Sequence, residues 1–172
     1  MYKINDFVVY GKTGICQVID ITVPKNSSMD TNQLYYILQP LCESCVIYTP
    51  VDTKVFMRPV ISPEEANRII DSIPTIQADA YYNDRMQELV QHYEEILQSH
   101  DCEDLLGLTM SIYAKKQCLG QQNQKCGQTD EKYLKQADDL LCSEFSLVLG
   151  IPKEDVPAYI AARVEALSRQ TE

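Results

Sequence analysis

Residues 7–18 read FVVYGKTGICQV, and the fold turns on how they are read. Gly11-Lys12-Thr13 resembles the end of a phosphate-binding loop. That loop needs a glycine five positions ahead of Gly11, so that successive backbone N–H groups can wrap a phosphate, and a helix directly after the threonine. The earlier position holds Asp6, a carboxylate that would repel the phosphate. Beyond the threonine and Gly14 the chain continues Ile15-Cys16-Gln17-Val18-Ile19-Asp20-Ile21, where Ile15, Ile19 and Ile21 fall on one face of an extended chain. A period of two with β-branched residues predicts a strand. Gly11 and Gly14 then supply backbone freedom in a short hairpin loop, and Lys12 is a solvated turn residue.

Outward from this hairpin, residues 1–58 keep the same texture. Phe7–Tyr10, Ile15–Thr22, Leu34–Gln39, Cys45–Pro50 and Val55–Met57 are β-branched or aromatic runs. Turn-type stretches separate them: Gly11–Gly14, the polar Pro24–Asn32, Leu41–Ser44 and Asp52-Thr53. Short strands packed this densely predict a small, strongly bent sheet or barrel.

The texture changes at Ser62-Pro63-Glu64-Glu65, which offers a serine cap, a proline in the first turn and a glutamate to complete a capping box. The first helix runs to about Ile73. A second is predicted from Asp79, with Met86, Leu89, Val90, Tyr93, Ile96 and Leu97 inward. A third starts at Asp101 with Leu105, Leu108, Thr109, Ile112 and Tyr113 inward, and Gly120–Gln128 is a polar loop. A fourth from Thr129 buries Leu134, Ala137, Leu140, Leu141, Phe145 and Val148; Gly150 caps it and Pro152 opens a fifth. The expected class is α+β in two modules: a β module over residues 1–60, a linker helix over 61–74, and an all-α domain over 75–172.

The 172 residues carry 15 Lys+Arg against 25 Asp+Glu, and the excess of acid lies in the helical part. Residues 1–74 have net charge −2 and residues 75–172 net −8. Free DNA-binding domains present a basic face, because neutralising phosphates supplies most of their affinity. The helical composition offers none. No long apolar run or signal-peptide core is present, which predicts a cytoplasmic chain with no membrane partner. Seven cysteines then read as thiols that pack like small hydrophobes.

Cys42-Glu43-Ser44-Cys45 is a C-x-x-C. A structural zinc site needs four ligands, usually from a second such pair. No second pair exists, His92 and His100 lie in the helical part, and Cys16 would bring the set to three at most. A redox pair belongs at a helix N-terminus, whereas this one sits in a strand-to-strand turn. The pair reads as structural, and neither metal nor cofactor is expected. With two histidines and no G-x-S-x-G or H-E-x-x-H, no catalytic residues emerge and no small-molecule ligand is expected. Two features invite an interaction reading. Tyr81-Tyr82 opens the second helix, either as a stacking wedge or, more in line with ordinary packing, against the preceding module. The run Val46-Ile47-Tyr48-Thr49 is apolar throughout, either a second buried face or an exposed edge that pairs with a partner strand.

The order of these signals resembles the CarD/CdnL family of bacterial transcription regulators, whose N-terminal module is shared with the transcription-repair coupling factor. Asp6-Phe7-Val8-Val9-Tyr10 with Thr13-Gly14-Ile15 is similar to the family's "GD-x-V-V-Y … HG-V-G". Val46-Ile47-Tyr48-Thr49-Pro50 leading to Met57-Arg58-Pro59-Val60-Ile61-Ser62 resembles its strand ending in proline, then arginine, then linker helix. Leu140-Leu141-Cys142-Ser143-Glu144-Phe145 with Val148-Leu149-Gly150-Ile151-Pro152 is similar to the C-terminal helix of members from spore-forming bacteria.

The resemblance implies a Tudor-like or SH3-like β module that docks on the RNA polymerase β subunit by sheet extension. It also implies a helical module at the upstream edge of the promoter bubble that stabilises the open complex. It assigns polymerase binding to Val46, Ile47, Tyr48 and Thr49, with Arg58 a weaker candidate. Three departures stand out. An arginine can occupy the place of Tyr48, so an aromatic contact would replace a charged one. Cys16 stands where the pattern has glycine. The family's minor-groove tryptophan is missing, leaving Tyr81 with Tyr82 beside it, followed by Asp84, Arg85, Glu88, Glu94 and Glu95. DNA binding through Tyr81, Tyr82 and Arg85 would therefore be weak and confined to a tethered state. The alternative is a polymerase-docking adaptor or antagonist whose acidic helices bind a protein.

Overall fold

The computed structural model describes residues 1–24 and 32–170, without the side chain of Gln170; most of the expected polar loop Pro24–Asn32 lies outside them. The chain is α+β and divides into two compact units, Met1–Val60 and Ile61–Glu172.

In the first unit, strands β1 (Phe7–Tyr10), β2 (Gly14–Thr22), β3 (Tyr35–Pro40), β4 (Ile47–Pro50) and β5 (Met57–Pro59) form one sheet in the order β4-β3-β2-β1-β5. Every neighbouring pair is antiparallel. The opening stretch is a hairpin with Val8 opposite Cys16 and Tyr10 opposite Gly14. Gly11–Thr13 forms a single 3-10 turn, and it leads into a strand rather than a helix. Both glycines are required. Gly14 sits at φ +86°, ψ −139°, a region closed to other residues. A Cβ on Gly11 would come within 3.0 Å of Val55 Cγ1.

Val8, Cys16, Val18, Tyr36 and Leu38 form the core of this unit. The predicted common face of Ile15, Ile19 and Ile21 does not survive. The register slips between Val18 and Asp20, a bulge that puts an extra residue into β2 and changes which side chains point inward. Cys16 and Val18 face the core before the slip and Ile21 after it, while Ile19 is left 40 % exposed. Tyr10 Oη donates to Thr49 Oγ1 at 3.1 Å, joining β1 to β4 although two strands separate them in the sheet. The sheet is thus strongly curled, as a sheet this small must be to enclose a core.

The second unit holds α1 (Pro63–Ser72), α2 (Met86–Ser99), α3 (Cys102–Gln121), α4 (Gln128–Leu149) and α5 (Val156–Gln170). Ser62 Oγ caps α1 by accepting from Glu65 N–H at 3.1 Å; the Glu65 carboxylate engages Arg68 instead of closing the box. Asp101 caps α3, and Gly150 ends α4 at φ +65°. Helix α1, expected as a linker, is built into this unit. Ala66, Ile69 and Ile70 lie in its core, and Tyr159 and Arg163 of α5 bond Asn67 and Asp71.

Helix α2 starts seven residues later than predicted, at Met86. Asn83 explains the delay: its Oδ1 accepts Arg85 N–H at 2.8 Å, a side-chain turn that competes with helix, and its Nδ2 reaches Glu88. Ser111 Oγ further holds the Asp79 carbonyl at 2.7 Å. Met86 and Tyr113, expected inward, are 57 % and 47 % exposed. Among the described residues no helix is long and apolar enough to cross a membrane.

Candidate functional site

The sheet order leaves two outer edges, on β4 and β5. An antiparallel ladder alternates residues whose N–H and C=O point to the partner with residues whose groups point away. On the β5 side, Val60 N–H donates to Phe7 O and Gly11 N–H to Phe56 O, which sets the phase and turns Met57 and Pro59 outward. That edge is blunted. The Met57 carbonyl already accepts Tyr2 Oη at 3.1 Å, Pro59 has no N–H, and the Pro59 carbonyl accepts Arg58 Nη1 at 3.0 Å.

On the β4 side, Val51 N–H donates to Leu34 O at 3.0 Å, so Thr49 and Ile47 turn their groups to β3. Tyr48, and Val46 just ahead of the strand, therefore direct theirs to the free edge. The side chains obey the same alternation. Thr49 is buried with its hydroxyl on Tyr10, and Ile47 packs against the core. Val46 and Tyr48 are 42 % and 47 % exposed. Of the four residues expected to bind, two present side chains outward and two are structural. Arg58 lies at the other end of the sheet order.

The C-x-x-C turn leads into β4. Gln39 Nε2 donates to the carbonyls of Glu43 and Cys45 at 2.9 and 3.0 Å, fixing the turn. Cys45 Sγ donates to Glu43 Oε2 at 3.1 Å, and that carboxylate pushes the Cys45 thiol up, away from the reactive thiolate. Cys16 is wholly buried, and burial, with Cys45 and Glu43 adding, pushes its thiol up to about 11. It fills the core where a glycine would leave a void. Among the described residues, no three His, Cys, Asp or Glu side chains are grouped to hold a metal ion.

In the second unit, the three candidate DNA-binding residues separate. Tyr81 packs on the core and stacks on His92 with ring centroids 3.9 Å apart. Tyr82 is 53 % exposed, with Lys115 Nζ 5.3 Å from its ring centroid. Arg85 pairs with Glu88 at 2.8 Å. The unit has ten Lys and Arg against twenty Asp and Glu. Seven of those cations (Arg68, Arg85, Lys115, Lys116, Lys153, Arg163 and Arg169) are held in ion pairs. Phosphates would have to compete with carboxylates already in place.

One constellation was invisible in the sequence. Lys115 of α3 and Asp130 of α4 form a buried pair at 2.9 Å, and Tyr93 of α2 donates to the same carboxylate oxygen at 2.6 Å. Burial pushes the Asp130 carboxyl up, but the Tyr93 hydroxyl and the Lys115 ammonium together hold it below its usual range. Burial, reinforced by Asp130, raises the Tyr93 hydroxyl. The available signal was Lys115 standing on the inward stripe of Leu108 and Ile112, where a lysine needs a partner.

A family model for the CarD-like/TRCF RID domain matches residues 2–61, nearly the whole of the first unit. No curated protein matches the chain. The match supports an RNA polymerase-interacting, transcription-related role. Over residues 2–61 the chain is thus similar to the CarD-like/TRCF RID domain, consistent with an RNA polymerase-interacting module.

Proposed function

We propose that the chain is a non-enzymatic bacterial transcription regulator of the cytoplasm that docks on the RNA polymerase β subunit by adding a strand at β4. The observation that carries this is the contrast between edges: β5 is blunted by Tyr2, Arg58 and Pro59, while Tyr48 leaves β4 open. Docked there, the helical unit modulates promoter open-complex stability. DNA contact falls to Tyr82 rather than to Tyr81 or Arg85, because Tyr82 is the one whose ring is exposed. Such a contact operates only in the tethered state, where effective concentration replaces intrinsic affinity.

A second reading is favoured by the paired cations. The acidic helical unit then binds a protein, and the chain acts as a polymerase-docked adaptor or antagonist. Open-complex lifetime with the homologous polymerase tests both. Wild-type protein should change the lifetime, and Tyr82→Ala should lose that change while still docking. No effect of wild type overturns the first reading; a full effect from Tyr82→Ala moves the contact away from DNA stacking and favours the second.

A further inference from the structure

The docking edge is short and its chemistry is uniform. From Cys45 to Val51 the sequence CVIYTPV carries no charge. Pro50 closes one end of the edge: it has no N–H, and its carbonyl already accepts Thr53 N–H at 3.0 Å. The outward main-chain groups are therefore those of Val46 and Tyr48. Their exposed side chains share a face with Ile37, which stands directly opposite Tyr48 on β3. A strand added here meets an apolar strip without ionic contacts at its centre.

The two ends differ from the centre. Glu43 and Asp52 flank the edge, both exposed, and each carboxylate is hydrogen-bonded to a neutral group: Cys45 Sγ on Glu43 and Gln33 Nε2 on Asp52. An exposed carboxylate thus stands in the chain just beyond each end of the edge.

We infer that the strand received at β4 pairs along Val46–Tyr48, carries apolar side chains beside Tyr48 and Ile37, and has Lys or Arg, never Asp or Glu, where it passes Glu43 and Asp52. The inference rests on the docking reading and adds the partner's chemistry to it. Main-chain bonds and apolar contact hold the centre, and the flanking charges act chiefly on the association rate, as rim charges do. A partner built around a central carboxylate would instead leave that charge unpaired against Tyr48.

The test is the affinity and association rate of the full chain for purified homologous RNA polymerase, with thermal melts confirming that each variant is folded. Tyr48→Phe should bind like wild type. Tyr48→Arg should bind at least tenfold more weakly, and Glu43→Lys combined with Asp52→Lys should slow association several-fold. Tyr48→Pro removes one outward N–H with the aromatic ring and should bind at least tenfold more weakly; Val46→Pro, which removes the other outward N–H, takes its place should Tyr48→Pro fail to fold. Loss in those blocking variants with Tyr48→Arg equal to or tighter than wild type overturns the apolar centre. Unchanged or faster association of the double lysine variant overturns the basic ends. Wild-type affinity in the blocking variants overturns the docking reading itself, and the inference with it.

Discussion

Thr49 and Tyr48 are adjacent in β4 and have opposite duties. The Thr49 hydroxyl is buried on Tyr10, so Thr49→Ala removes a hydrogen bond and leaves the Tyr10 hydroxyl without it. The expected cost is about 1–3 kcal/mol in urea unfolding of the first unit. Polymerase affinity should stay at the wild-type value, because the lost group faces the core. Tyr48 faces out, and Tyr48→Arg should weaken docking without altering stability. Cys16 shows the same core role in its titration. Its thiol is raised to about 11 in the folded unit, so its stability contribution is complete below the unfolded thiol pKa. That contribution is lost as pH rises from about 8.5 through the folded value. Denaturation monitored between pH 7 and 11 should show the decline, and Cys16→Ala should flatten it.

At the scale of elements, legibility tracked how local the deciding interactions are. The first four strands, the α1 cap at Ser62 and the α4 stop at Gly150 were readable because each is decided by neighbours in sequence, whereas the fifth strand, expected at Val55–Met57, forms at Met57–Pro59 where it pairs with β1. The bulge at Ile19 was not readable, since it depends on how β2 pairs with β3. Nor was the start of α2, where Asn83 and the distant Ser111 hold the chain extended against its apolar periodicity. At the candidate site, the sequence located the strand but left two fates open for Val46–Thr49. The structure gives both: alternation sends Ile47 and Thr49 inward, and the ladder phase sends Tyr48 outward. The Lys115–Asp130 pair that joins α3 to α4 escaped notice because a lone lysine on an apolar stripe does not reveal its partner. Removing one member by Lys115→Met strands a buried carboxylate and should cost about 3–5 kcal/mol in the unfolding of the helical unit. Asp130 is held below its usual range, so the stabilisation is present above the unfolded carboxyl pKa. It is lost as pH falls from about 3.9 through the folded value. Acid titration should show this loss in wild type and a smaller one in Lys115→Met/Asp130→Leu, which removes both charges together.

For the whole molecule, charge is divided as sharply as structure. The first unit carries five Lys and Arg and five Asp and Glu, whereas the second carries the entire net charge of −10. With seven of its ten cations paired, the helical unit should not retard duplex DNA in a gel assay at physiological salt. A retarded complex formed without polymerase would show that the carboxylates yield to phosphates after all. In the proposed function the β unit brings the helical unit to a promoter, and docking at the β4 edge is the step on which the rest of that proposal depends. Site-specific photo-crosslinking reads that step directly. With p-benzoylphenylalanine placed in turn at positions 48 and 58, one on each sheet edge, polymerase should be captured from position 48, through its β subunit, and far less from position 58. Capture from position 58 alone, or from position 48 through another subunit, would contradict docking at β4.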